Sequence, residues 1–221
     1  MLAVEEVNAR GGVRGKRVSL HIKDDKGLAD TAVAVDKELV TEGIALAIGH
    51  LNSGPGLPGV QVLLDAGIPV ISPAMGTGEL TGLYDGFFRL IPESVWQGRI
   101  LAKAVLDRTP EGATVSFLLE ENNMAYCVEV ESGFQEEWET AGRNPAQVHR
   151  YKSGETVDFD RIAGALLRDK ADVVVLVTGG LDLAVFTQLL RKQQPTVLLA
   201  SGMWGMTHDF LENAGRADRK S

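Results

Sequence analysis

Cysteine is almost missing from this chain. Cys127 is the single one among 221 residues, so no intramolecular disulfide can brace the fold and cysteine usage marks no redox compartment. No apolar run approaches the roughly 18 residues needed to span a bilayer, and residues 1–12 read as an amphipathic helix rather than a secretory leader. Positive charge is in deficit: 22 Lys and Arg face 30 Asp and Glu, a net charge of −8 without long single-sign blocks. Nucleic-acid affinity rests on Lys and Arg neutralising phosphates, so a nucleic-acid partner is not expected. Enzyme signatures are lacking too. There is no Gly-x-x-x-x-Gly-Lys-Ser/Thr phosphate loop, and the serine in Gly49-His50-Leu51-Asn52-Ser53-Gly54 lacks the glycine two residues before it that a nucleophile elbow requires. His21, His50, His149 and His208 fall one per element without metal-ligand spacing. Cys127 has no histidine nearby in sequence to activate it. No metal, cofactor or catalytic activity is expected; His50 alone stands beside a candidate site.

What is present is an ordinary globular composition, 44% hydrophobic and 24% charged, in a length that suits two lobes of about 100 residues. Short apolar strands alternate with helical stretches, the signature of parallel sheets flanked by helices. Strands are expected at 17–23, 45–49, 69–72, 87–91, 114–119, 148–151, 172–177 and 196–200. Helices are expected at 28–42, 55–66, 95–108, 125–141, 159–168, 183–192 and 207–213. In 28–42 the 3.6-residue period puts Ala32, Val35 and Leu39 on one stripe, with Asp36, Lys37 and Glu38 facing away. The unbroken apolar run Asp172–Val177 reads as a strand buried on both faces. Asp24-Asp25 and Glu120-Glu121 read as solvated strand ends. The lobes divide at Ile91-Pro92-Glu93, where a proline ends a strand.

The segment Leu2-Ala3-Val4-Glu5-Glu6-Val7-Asn8-Ala9-Arg10-Gly11-Gly12-Val13, followed by Gly15-Lys16 and Lys23-Asp24-Asp25, resembles the type I periplasmic binding proteins of the leucine/isoleucine/valine-binding family. Gly49–Ser53, Gly67–Ala74, Phe88–Pro92, Ala125-Tyr126 with Gly133-Phe134, Asp158-Phe159, Asp172–Thr178 and Ser201–Gly205 continue the resemblance in order. It implies an α/β fold of two Rossmann-like lobes, 1–91 and 92–221, incomplete at both ends: lobe 1 would lack its first strand and lobe 2 its later crossover segments. That strand belongs between 17–23 and 45–49, so lobe 1 is expected either to pair those two directly or to accept a segment of another chain, with self-association as the outcome.

The resemblance also implies an interlobe cleft that binds an amino acid or related small carboxylate for a membrane permease of an ABC importer, at a periplasmic or extracellular site. A ligand-sensing domain of a receptor or regulator is the alternative. Asn52 and Ser53 would present a hydroxyl and helix N-terminal N–H groups to a carboxylate, plain helix capping by Ser53 being the alternative. Ala74, Met75, Gly76 and Thr77 form the second loop, where Gly76 stands in place of an expected hydroxyl and Thr77 is its nearest substitute. Tyr126 would close over the ligand and offer its hydroxyl, or else serve as a core tyrosine. Gly180, Leu181, Gly202 and Met203 complete the set, and no acid stands near Gly202 to pair with a ligand ammonium. Asp182 and Glu120, the nearest acids, are expected to face solvent. A carboxylate without an amine therefore fits at least as well as an amino acid.

Overall fold

A computed structural model describes residues 2–83, 86–154, 156–168 and 170–215. Met1 and residues 216–221, expected in the first helix and at the end of the second lobe, lie outside the described residues.

Two parallel sheets organise the chain. The first has the order β1-β2-β3, from β1 (Ala47–Ile48), β2 (Val70–Ser72) and β3 (Phe87–Arg89). The second has the order β5-β4-β6-β7, from β4 (Val115–Glu120), β5 (Gln147–Tyr151), β6 (Val173–Val177) and β7 (Leu198–Ser201). In register, Ala47 lies beside Val70, Val70 beside Phe87 and Phe117 beside Val175.

Every strand but β2 leads into an α-helix or a short helical turn followed by one, as parallel crossovers commonly do; β2 reaches β3 through the 3-10 turn Gly78–Leu80. The helices are α1 (Leu2–Ala9), α2 (Ala29–Thr41), α3 (Ser53–Asp65), α4 (Ser94–Leu106), α5 (Met124–Thr140), α6 (Phe159–Arg168), α7 (Gly180–Gln193) and α8 (His208–Asn213). The central strands β4 and β6 are buried along their whole length. Their side chains alternate between two cores, because a strand points successive residues to opposite faces. Phe117, Val173 and Val175 join Phe134 and Trp138 on the α4–α5 side, whereas Leu118, Val174 and Leu176 join Leu166 and Phe186 on the α6–α7 side. α4 and α5 meet backbone to backbone at Gly98 and Gly133, where a Cβ would strike the main chain of Val130 and Val95.

The three-stranded half has one smaller core, of residues such as Val60, Leu63, Val70 and Met75. Two expectations fail in this half. Residues 17–23 are not a strand; among the described residues the ladder contact preceding them is an isolated bridge from Val13 to Lys16. A strand needs a neighbour, and among the described residues β1 pairs with β2 alone. The expected direct pairing of 17–23 with β1 is therefore absent. A groove of about 1040 Å³ runs between them, lined on one side by Val18, Leu20 and Ile22 and on the other by Leu46 and Ile48. The segment is held from its outer side instead: Asn8 brackets Val18 with two hydrogen bonds of 2.8 Å, and Lys23 pairs with Glu38 and Glu42.

The second failure is Asp36. Lys37 and Glu38 are exposed, but Asp36 is buried at 2% exposure. Its carboxylate lies 2.8 Å from His50 Nε2, under α3 at Gly59, and His50 Nδ1 lies 2.6 Å from Asp25. An acid on an apolar stripe is stable when a buried partner meets it, and amphipathic spacing carries no sign of that partner. Asp25 is accordingly a bridging residue rather than a solvated strand end.

Candidate functional site

Strands of both sheets end toward a common cleft, the place where open α/β sheets present loops to ligands. It encloses about 280 Å³. Leu51, Ser53, Pro73, Ala74 and Ile91 line it from the three-stranded side. Gln97, Asn123, Tyr126, Gly180, Met203, Trp204 and Thr207 line it from the other. Among the described lining residues none carries a charge.

Of the residues singled out in the sequence, Ser53, Ala74, Tyr126, Gly180 and Met203 are brought together on this cleft. The others are not part of its lining. Asn52 is the N-cap of α3 but makes no side-chain capping bond, and its Oδ1 is buried without a hydrogen-bond partner. Met75 is fully buried in the core of the three-stranded half. Gly76, Thr77, Leu181 and Gly202 also fall outside the lining.

The local chemistry explains these placements. Ser53 does not cap α3; its hydroxyl accepts the Gly76 N–H at 3.2 Å and ties the two loops together. The Ser72 hydroxyl accepts from the Ala74 and Met75 N–H groups at 3.3 and 2.9 Å. The N-terminus of α3 is less open to an anion than its sequence implies. Gly54 N–H is taken by Asn123 Oδ1 at 3.0 Å, and Gly56 N–H by the Asn52 carbonyl. At Gly76 a Cβ would lie 2.6 Å from Ser94 Oγ, so the hydroxyl expected at this position has no room. Thr77 is fully buried and donates to Glu129 at 3.0 Å, so it does not replace that hydroxyl in the cleft.

Tyr126 is 4% exposed and packs edge-on against Trp204, with ring centroids 6.0 Å apart. Its hydroxyl donates to Gln97 Oε1 at 2.9 Å and accepts from Trp204 N–H at 3.4 Å, so its proton is committed within the protein. Burial pushes its pKa up to about 12. A Cβ at Gly202 would lie 2.8 Å from this hydroxyl. The missing acid near Gly202 thus has a steric cause: Tyr126 fills the space.

Glu120 and Asp182 correct a further expectation. Glu120 is buried at 5% exposure and accepts the Gly179 N–H at 2.9 Å beneath the loop that leads into α7. Burial, with Asp182 nearby, raises its pKa above the ordinary carboxylate value despite that bond. Asp182, half-buried, accepts from the Tyr151 hydroxyl at 2.8 Å. Cys127 is fully buried, its thiol directed at the Glu120 and Val177 carbonyls, and burial pushes its pKa up to about 12.

Gln97, Asn123 and Trp204 are lining residues that sequence reasoning missed. Trp204 lies in the quoted segment 201–205, so its neighbourhood was visible. Gln97 sits in the first turn of α4, where periodicity gives a polar residue no reason to be only 8% exposed.

The sequence profile described as periplasmic binding protein matches residues 1–217. A leucine-, isoleucine-, valine-, threonine- and alanine-binding protein of Pseudomonas aeruginosa is 28% identical over 181 residues, which are 81% of this chain and 47% of that protein. The branched-chain amino acid transporter substrate binding protein LivJ of Streptococcus pneumoniae, solved with isoleucine, is 25% identical with a TM-score of 0.81 over 96% of this chain and 60% of its own. A solute binding protein of R. palustris, solved with benzoate, shares the fold at a TM-score of 0.84 and 19% identity, over 98% of this chain and 59% of its own. The chain thus spans about half of the curated relative and about 60% of the two structures. With the profile matched over almost its whole length, and with two parallel sheets facing one uncharged cleft, the chain belongs to the periplasmic binding protein family.

Proposed function

We propose that the chain is the solute-binding part of an ABC importer, acting outside the cytoplasm and delivering its ligand to a membrane permease. Residues 1–91 and 92–221 form the two lobes, and Ser53, Ala74, Tyr126, Gly180 and Met203, with Gln97 and Trp204, contact the ligand. Gly76, Thr77 and Gly202 shape these walls from behind.

The observation that carries the ligand class is a cleft lined by aromatic, aliphatic, hydroxyl and amide groups with no charged side chain among the described lining residues. An ammonium enclosed there would lack a counter-ion, and an unpaired buried charge costs several kcal/mol, about 3–5 where a partner is removed. A carboxylate is served better. The Ser53 hydroxyl still has its proton to donate, the Gln97 amide lines the same cleft, and α7 begins at Gly180 on its wall. Helix N-termini and hydroxyl donors suit anions. Gly76 and Gly202, pressed against Ser94 and Tyr126, bar the simple substitutions that would add an amine partner.

Calorimetry with leucine, 4-methylpentanoate and benzoate tests the reading. The two acids are expected to bind more tightly than leucine. Tight leucine binding without a response to either acid would overturn the ligand class. We further propose that the 221-residue chain self-associates through the groove beside β1.

A further inference from the structure

We propose that Glu129 is a positioning residue for ligand capture, whose carboxylate latches the two lobes shut by holding Thr77 and Gly78 without touching the ligand. This rests on the reading of the cleft as a solute site.

Asn123, Tyr126 and Glu129 follow one another at three-residue spacing at the start of α5, which places them on one side of that helix. Tyr126 lines the cleft. The residues on either side of it cross to the opposite lobe. Asn123 Oδ1 accepts Gly54 N–H at the start of α3, and the Glu129 carboxylate accepts the Thr77 hydroxyl at 3.0 Å and Gly78 N–H at 2.9 and 3.1 Å. Glu129 is absent from the cleft lining. The turn it grips is preset from behind: Arg89 donates to the Thr77 carbonyl at 2.5 Å and pairs with Glu93. The Thr77 hydroxyl also accepts Glu79 N–H. Bonded to an N–H and a hydroxyl, this carboxyl group satisfies two donors of the turn that would otherwise lack a partner across the cleft. Both latches coexist with the 280 Å³ cleft, so they close around a ligand rather than in place of one.

The groups facing Glu129 are Glu79 on the gripped turn, a like charge, and the Ser94 hydroxyl on α4. Burial is the largest influence on its carboxyl and raises its pKa; the bonds from Gly78 and Thr77, with the Ser94 hydroxyl nearby, oppose this without cancelling it. The closed cleft therefore holds a proton on Glu129 more tightly than an opened cleft, in which the carboxyl is hydrated. Closure takes up protons and becomes less favourable as pH rises from the ordinary carboxylate range through the raised value. Glu129→Gln keeps an acceptor for Gly78 and removes the charge. Glu129→Ala removes both.

The test uses the 221-residue chain with benzoate and 4-methylpentanoate as probes, measuring dissociation rates together with amide exchange protection at Gly54 and Gly78 from pH 4 to 8. Glu129→Ala is expected to weaken binding roughly tenfold or more, mainly through faster dissociation, and to lower protection at Gly54 and Gly78 together. Glu129→Gln is expected to bind at least as tightly as the unmodified chain at neutral pH, with its pH dependence flattened. Unchanged probe affinity in Glu129→Ala, or loss of Gly78 protection with Gly54 unaffected, overturns the latch. If neither probe binds the unmodified chain, the ligand reading fails and exchange alone decides: joint loss of protection supports the latch and independent loss refutes it.

Discussion

His50 joins three parts of the three-stranded half through one residue, since Asp25 and Asp36 take its two ring nitrogens and the Ser72 hydroxyl donates to its backbone carbonyl at 3.0 Å. Burial alone would lower its pKa, but the bonds to Asp36 and Asp25 outweigh this and raise it above the usual imidazole value. For Asp25 burial works against ionisation, yet the Gly27 N–H and His50 hold its carboxyl below the usual range. The signs follow from linkage. A raised imidazole contributes stability that is full below its unfolded value and is lost as pH rises through the folded value. The lowered Asp25 contributes stability that is present at neutral pH and lost only in acid. Urea melts are therefore expected to show stability declining as pH rises above about 6.5, each unit of imidazole shift being worth about 1.4 kcal/mol. In His50→Leu this decline should vanish, with an overall loss on the order of 3 kcal/mol because Asp36 keeps a buried, unpaired charge. A His50→Leu chain as stable as the unmodified one would show that the bridge contributes nothing.

At the scale of elements, the parallel sheets were legible because β6 and β4 carry their burial in plain apolar runs and the helices between them keep their period. Boundaries shifted by a few residues; α7 begins at Gly180, ahead of the expected 183, because a glycine at the first helical position masks the start that Asp182 in the first turn marks. Residues 17–23 have a strand's composition but no neighbour, and pairing is a property of the fold, not of the segment. Site residues divide along the same line. Loops after strands pointed to Ser53, Ala74 and Gly180, whereas Gln97 and Asn123 reach the cleft only because α4 and α5 lie so close together. That closeness depends on Gly98 and Gly133, whose positions admit no side chain without moving the partner helix. Gly133→Ala should cost about 1–3 kcal/mol as an overpacked contact, measured by urea unfolding, and should weaken ligand binding with it. Normal stability and binding in that variant would mean that α5 can shift without consequence.

For the whole molecule the open flank of β1 is the feature with the widest reach. Leu20, Ile22, Leu46 and Ile48 border the groove at 46, 73, 43 and 73% exposure, and a strand edge without a partner among the described residues, beside apolar surface, is a template for association. Light scattering on the 221-residue chain should therefore report a dimer or larger species. A cooperatively unfolding monomer with the groove unchanged would refute this.

The two halves are also unequally built. Four strands sandwiched between two apolar cores stand beside three short strands with one. Unequal cores connected by few bonds tend to melt in sequence rather than together, with the thinner one first. A solute that binds only when both halves are formed adds its binding free energy to the weaker half alone. Under the proposed function, capturing the ligand then amounts to completing the fold of the three-stranded half, and the fraction of molecules with that half intact would itself report how much solute is present.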